Sequence, residues 1–180
     1  MLWKALQVCT FLILMCLSKG LLLNKIYNSI YRRYAMKRQD LRKYAFLITF
    51  GRSLSFDTPE EALGNYLESF KEDYEKENGK FSDKDLEFVR DIIFGINKNI
   101  GVIDDTISMY SKDFEISRIS KVALAALRVS IYEILFRDDI PDKVSVNEAI
   151  EIVKLYDEEN TARFVNGVLG NLVNKNKEEK

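Results

Sequence analysis

The chain offers few side chains that could carry out catalysis or bind a metal ion. It contains no histidine, which is the commonest general base and zinc ligand. Its two cysteines, Cys9 and Cys16, both lie in a hydrophobic stretch at the start, so the rest of the chain has no thiol nucleophile. It also lacks the glycine-rich loops that cradle phosphates or dinucleotides.

Paired acids occur at three places, and none of them indicates a catalytic carboxylate dyad. Neighbouring residues on a helix point in different directions, so such pairs do not converge on one substrate atom. We expect each pair to be a solvated helix face or a cap, and we expect no enzyme, no cofactor and no small-molecule substrate. The pairs are Asp104-Asp105, Asp138-Asp139 and Glu158-Glu159.

Basic side chains cluster just after Met36. Arg38 and Arg42 are one helical turn apart, and Lys43 follows directly. Because the net charge of the chain is only −1, any nucleic-acid surface must be local rather than general. From the residues alone, the cluster could also be a solvated basic helix end.

The sequence predicts an all-α domain that holds these groups on helices. Eight glycines and two prolines are too few for a fold built from many tight turns, and no alternating strand pattern appears. A hydrophobic content of 47% with 31% charged residues fits a soluble globular protein.

Two helix starts in the N-terminal half are marked by capping residues. Thr58-Pro59-Glu60-Glu61 combines a capping hydroxyl, a proline suited to the first turn and two acids. This helix is predicted to end near Glu77-Asn78-Gly79. Ser82-Asp83-Lys84-Asp85 begins a second helix, predicted to reach about Tyr110 with a bend near Gly101.

Three helices are predicted in the C-terminal half. The first is predicted to begin near Arg118, and from Val122 to Leu135 apolar residues cover most of its circumference, which indicates a helix packed on several sides. Pro141 has no amide hydrogen, so the chain must turn there before two amphipathic helices. Gly167 lies inside the last helix, where a glycine usually marks the close approach of a neighbouring helix.

Residues 1–35 differ in composition from everything after them. They are rich in apolar side chains, and no acidic residue precedes Asp40. The uninterrupted apolar run is shorter than the roughly 18–20 residues of a membrane-spanning helix, and no clear signal cleavage site follows it. We expect a dispensable leader or the product of an upstream start, with a membrane anchor or a secretion signal as alternatives. The functional domain is expected at 36–174, with subdomains at about 36–112 and 117–174 and a frayed charged tail at 175–180.

Four motifs in the C-terminal half resemble the NusB family of transcription antitermination proteins. They occur in the family's order and at compatible spacings, and the resemblance covers roughly residues 37–174. It implies two small three-helix bundles packed across each other. The motifs are Leu127-Arg128 before Tyr132-Glu133, the corner Asp139-Ile140-Pro141, Asn147-Glu148-Ala149 and Phe164-Val165-Asn166-Gly167.

The resemblance implies that the basic helix start touches RNA. Arg38, Arg42 and Lys43 hold the family's basic positions, whereas Gln39 and Asp40 stand where many relatives carry further arginines. The implied ligand is single-stranded RNA of the boxA type, found in the leaders of ribosomal RNA operons. Such RNA exposes phosphates and base edges that two proteins can share.

The resemblance also implies a protein-binding surface at the proline corner. Asp139 holds the acidic position that faces the partner in this family, Lys143 keeps a basic position nearby, and Asp142 replaces a frequent aromatic residue. The implied partner is the small-subunit ribosomal protein that is called NusE in transcription. Both proteins would act in the cytoplasm within the RNA polymerase antitermination complex. Glu148 is expected to pair with a base such as Arg128.

Two other functions are compatible with the sequence. The same helical domain occurs as the RNA-binding part of ribosomal-RNA cytosine methyltransferases, which would require that the catalytic domain be missing from this chain. A membrane-tethered helical interaction protein would use residues 1–35 as its anchor. The four motifs favour the antitermination factor.

Overall fold

The computed structural model describes residues 37–55, 57–66, 82–111 and 114–178, and within these ranges every regular element is helical. The predicted all-α class is confirmed. We number the helices α1 (Arg38–Arg52), α2 (described over 59–66), α3 (Asp83–Lys98), α4 (Ile100–Tyr110), α5 (Lys121–Phe136), α6 (Asp142–Tyr156) and α7 (Glu159–Glu178).

Helix α5 lies at the centre of the fold, as its nearly continuous apolar sequence predicts. It packs against α1, α3 and α4 on one side and against α6 and α7 on the other. Leu127 and Ile131 are fully buried, because helices surround them on several sides. Helix α5 therefore joins the N-terminal helices to the C-terminal pair, and its polar side chains contact both groups.

Both predicted N-terminal caps are present. The Ser82 hydroxyl accepts the amide of Asp85 at 3.2 Å, and the Asp85 carboxylate accepts the Ser82 amide at 3.2 Å. Thr58 and Glu61 make the same reciprocal pair, with the Thr58 amide donating to Glu61 at 2.8 Å. Each pair satisfies amides that the first helical turn leaves without a partner. The predicted helix end at Glu77-Asn78-Gly79 lies outside the described residues.

Two helix boundaries differ from the prediction. The helix that begins after Ser82 is interrupted at Asn99, two residues before Gly101, where the Asn99 side chain donates to the Gly95 carbonyl at 2.8 Å. Helix α5 begins at Lys121 rather than near Arg118, since the Ser120 hydroxyl caps it by accepting the Ala123 amide at 3.1 Å. A 3-10 turn, Ile116–Arg118, precedes it. Local hydrogen-bonding side chains decided both boundaries.

The prediction for Gly167 is wrong. A Cβ atom at Gly167 would meet open space, so no neighbouring helix requires a glycine there. The close approach occurs instead at Gly95, where a Cβ atom would overlap the ring of Tyr132. Gly95 therefore lets the Tyr132 side chain of α5 lie directly against α3.

The structure describes the two ends of the sequence to different extents. The leader at 1–35 lies outside the described residues, and no described helix is long and apolar enough to cross a bilayer. At the other end, the described part of α7 extends through Asn174 to Glu178.

Candidate nucleic-acid interface

The two predicted arginines of α1 lie in different environments. Arg38 is in the first turn and is exposed, whereas Arg42 is only 5% exposed. The helical spacing puts both on one side of α1. Over a single turn, however, that side changes from exposed to solvent to packed against α5. In this conformation the Arg42 guanidinium is not presented to an external phosphate.

Arg42 is held by a buried polar network. Its Nε donates to both carboxylate oxygens of Glu133, at 2.8 Å and 3.0 Å, and the Ser145 hydroxyl donates to Glu133 Oε2 at 2.6 Å. Glu133 belongs to α5 and Ser145 to α6, so the network connects three helices. Burial raises the pKa of Glu133 above its usual value, and the hydrogen bond from Ser145 and the charge of Arg42 offset this only in part.

Arg38 lies against an aromatic ring at the rim of the same junction. Its guanidinium carbon is 4.3 Å from the centroid of the Phe88 ring on α3, and that of Arg137 is 5.4 Å from the same ring. Both distances fall within the range of cation–π attraction. Phe88 therefore holds together two cationic side chains that are far apart in sequence.

Arg137 connects this ring to the proline corner. Its Nε and Nη2 donate to the two carboxylate oxygens of Asp139 at 2.8 Å and 3.0 Å, and its Nη1 forms an ion pair with Asp91 of α3. The hydrogen bonds from Arg137 hold the pKa of Asp139 below its usual value, and the charge of Arg38 contributes in the same direction. The predicted RNA contact at Arg38 and the predicted partner contact at Asp139 are thus parts of one continuous surface.

The remaining predicted site residues are available on the surface. Lys143 is exposed in the first turn of α6 and Lys43 is partly exposed on α1. Neither ammonium group forms an ion pair with any residue that the structure describes. Both lysines can therefore meet an external anion without first breaking an ion pair.

The expected pairing of Glu148 with Arg128 is wrong. Arg128 donates to both carboxylate oxygens of Asp104 on α4, at 2.9 Å and 2.8 Å. Glu148 Oε2 is buried without a hydrogen-bond partner in the described structure and lines a small cavity beside Arg42 and Glu133. Asn147 and Asn166, the asparagines of two of the family motifs, both lie exposed.

An open groove of about 480 Å³ adjoins Arg38, and we call it the Phe88 groove. Sequence reasoning assigned no role to most of its residues, because they come from three helices; the one available signal was Arg137, two positions before Asp139. Among the described residues, no group of acidic or cysteine side chains could hold a metal ion there. The groove is lined by Arg38, Lys84, Glu87, Phe88, Asp91, Tyr132, Phe136 and Arg137.

Comparison with known proteins identifies the family of this chain. The model of the NusB family matches residues 39–174, which is most of the chain. The chain belongs to the NusB family. The transcription antitermination protein NusB of Clostridium acetobutylicum is 40% identical over 144 residues, covering 80% of this chain and 100% of that protein. NusB of Acetivibrio thermocellus is 39% identical over 138 residues, covering 77% and 89%.

Solved NusB structures share the fold. NusB of T. maritima superposes with a TM-score of 0.67 at 34% identity, covering 81% of this chain and 99% of that one. A structure of the antitermination factors NusB and NusE in complex with double-stranded RNA superposes with a TM-score of 0.64 at 24% identity, covering 74% and 92%. At 24% identity, the superposition with the NusB–NusE–RNA structure supports only the fold of this NusB family member.

Proposed function

We propose that the protein is a transcription antitermination factor that binds boxA-type RNA together with NusE and promotes transcription of ribosomal RNA operons by RNA polymerase. Membership of the NusB family supports the role. The observation that carries it to particular residues is the continuous surface from Arg38 through Phe88 and Arg137 to Asp139. The protein acts in the cytoplasm, and no catalytic step, cofactor or small-molecule substrate is assigned to it.

Arg38 and Lys43 contact RNA phosphates in this proposal. Arg38 is exposed and, among the described residues, makes no ion pair, so an approaching phosphate does not have to displace a carboxylate. The Phe88 ring limits the freedom of the Arg38 side chain, which reduces the entropy lost on binding. Arg42 acts differently, because its guanidinium is occupied by Glu133: it fixes α1 against α5 and so positions Arg38.

Asp139 and Lys143 form the protein-binding part of the surface. The Asp139 side chain is 60% exposed while Arg137 holds its carboxylate, so the acid is presented in a fixed direction. Lys143 lies exposed on the helix that follows. The proposed partner of this corner is NusE, which is present with NusB and RNA in a solved structure of a relative.

The test is RNA binding by the full chain across a salt series, with and without NusE. We expect strong enhancement by NusE and a steep fall in affinity with salt, with a log–log slope of about −0.7 per phosphate contacted on single-stranded RNA. A flat salt dependence would exclude the electrostatic contact. A duplex of the same sequence determines whether the single strand is preferred.

Charge-reversed variants assign the two surfaces. Arg38→Glu and Lys43→Glu should weaken RNA binding and flatten the salt slope, whereas Asp139→Lys should remove the enhancement by NusE. Lys121→Glu is the matched control, because Lys121 is exposed at the opposite end of α5, about 22 Å from Phe136 at 1.5 Å per residue. Equal losses in all four variants would contradict the assignment.

A further inference from the structure

The Phe88 groove combines a rigid aromatic wall with an electropositive rim. Phe136 ends α5 with its side chain 41% exposed, and its ring stacks on Tyr132 with centroids 5.6 Å apart and an interplanar angle of 28°. Tyr132 is itself only 6% exposed, and its hydroxyl donates to Asp91 at 3.3 Å. The exposed ring of Phe136 is therefore held in a fixed orientation before any ligand arrives.

Two cations on the groove remain available to a ligand. Arg38 and Lys84 form no ion pair with any described residue, and both line the groove. Arg137 is different, since Asp91 and Asp139 both hold its guanidinium and leave it as part of the wall. An anionic backbone is thus attracted to the rim, on the Arg38 and Lys84 side.

The acidic side chains of the groove affect which part of a nucleotide it can bind. Glu87 and Asp91 line the groove beside the aromatic wall, and carboxylates there repel a phosphate. Carboxylates also accept hydrogen bonds from the exocyclic amino group of a base, the pairing by which acidic side chains read cytosine. Glu87 is the candidate for this contact, because Asp91 already accepts hydrogen bonds from Tyr132 and Arg137. A groove lined by an aromatic wall, acids and cations matches a nucleotide whose phosphates meet the cations and whose base meets the wall and an acid.

We propose that the Phe88 groove binds one unstacked base of the RNA, which stacks on Phe136 with its amino group toward Glu87 while Arg38 and Lys84 hold the flanking phosphates. This subsite rests on the proposed RNA-binding function and adds one base-reading position to it. Arg137 positions the wall of the subsite, and a single strand suits it because its bases are free to unstack.

The test is a double-mutant cycle between Phe136 and individual bases. The full chain is titrated with a boxA-type RNA and with derivatives that each lack one base. Phe136→Ala should weaken binding of the complete RNA about tenfold, in line with the loss of one stacked base. The loss should disappear for the derivative that lacks the base at one position and persist for the others.

Three further variants make the cycle decisive. Phe136→Trp retains a stacking surface and should keep most of the affinity. Phe114→Ala removes another exposed aromatic side chain, 54% exposed and packed on Phe164 outside the groove, and should leave binding unchanged. Glu87→Gln should change the preference among bases at the one sensitive position, and circular dichroism confirms that each variant is folded.

The outcomes separate this subsite from the broader function. If native protein binds RNA but Phe136→Ala loses the same factor with every derivative, or loses nothing, the base subsite is wrong and RNA binding stands. If Phe136→Ala weakens NusE binding without RNA and leaves RNA affinity intact, the groove binds the protein partner, which also overturns the subsite. If native protein binds no RNA at any salt concentration, the proposed function fails as well.

Discussion

Two arginine–carboxylate bridges in this molecule are alike in chemistry but differ widely in burial. Arg42 and Glu133 form one bridge with side chains 6% and 1% exposed. Arg137 and Asp139 form the other with side chains 20% and 60% exposed. The pKa of the carboxyl is raised in the first bridge and lowered in the second.

The opposite pKa shifts follow from solvation. Burial removes water from the Glu133 carboxyl and so raises its pKa. This increase is larger than the decrease caused by the hydrogen bond from Ser145 and the charge of Arg42. Asp139 keeps most of its water and gains hydrogen bonds from Arg137. We infer that the buried bridge specifies how α1, α5 and α6 pack, whereas the exposed bridge shapes a binding surface and contributes little to stability.

Among the single substitutions that test this comparison, removal of Arg42 should change stability the most. Arg42→Ala leaves Glu133 buried without its cation and should lower the free energy of unfolding by about 3–5 kcal/mol, measured by urea denaturation. The double variant Arg42→Met with Glu133→Leu removes both charges and should lose much less. Arg38→Ala, one turn earlier and exposed, should change stability by less than about 0.5 kcal/mol. A loss below about 1 kcal/mol for Arg42→Ala would show that the buried bridge does not specify the packing.

Substitution of Gly95 tests whether the packing of Tyr132 on α3 supports the exposed surface. Gly95→Ala places a Cβ atom on the ring of Tyr132 and should cost about 1–3 kcal/mol by overpacking. Because Tyr132 supports Phe136 and donates to Asp91, RNA affinity should fall in parallel. Gly167→Ala is the control with the opposite sign, since open space surrounds that position and alanine favours the helix by up to about 1 kcal/mol. Thermal unfolding compares the two variants directly. Equal shifts in melting temperature would contradict the close packing of Tyr132 on Gly95.

Removing the arginine of the more exposed bridge should cost far less stability than removing the arginine of the buried bridge. Arg137→Ala breaks pairs whose carboxylates are 45% and 60% exposed, so we expect a loss of about 1 kcal/mol or less. The same variant should markedly reduce the NusE-dependent enhancement, because Asp139 loses the group that orients it. A stability loss equal to that of Arg42→Ala would remove the distinction between the two bridges.

The smallest effects are two pH dependences of opposite sign. The folded pKa of Glu133 lies above its unfolded value of 4.5, so its contribution to stability is complete below that pH and is lost as pH rises through the folded pKa. The folded pKa of Asp139 lies below its unfolded value of 3.8, so its contribution is present above that pH and is lost as pH falls through the folded pKa. Unfolding free energies of native protein relative to Glu133→Gln and to Asp139→Asn, measured against pH, should therefore change in opposite directions. Curves of the same sign would refute the assigned causes.

The sequence by itself determined the local structure of this protein. The Ser82–Asp85 capping box and the turn at Pro141 depend on interactions between neighbours in the chain, and both are found as predicted. The nearly continuous apolar run of α5 can likewise be recognised from consecutive residues, and the helix is found there. Where a local side chain was overlooked, as at Asn99 and Ser120, the helix boundary moved by a few residues. The family motifs placed the candidate residues at Arg38 and Asp139, and the structure adds their common surface.

Only the tertiary structure decided which of the predicted basic residues are exposed and which are buried in an ion pair. Arg38 and Arg42 are equivalent by type and by helical spacing, yet Arg42 is paired with Glu133, 91 positions away. The Phe88 groove similarly depends on Arg137 reaching Asp91, 46 positions away. Sequence spacing determines which side chains share a face of one helix, whereas burial and charge pairing depend on which other helix packs against that face.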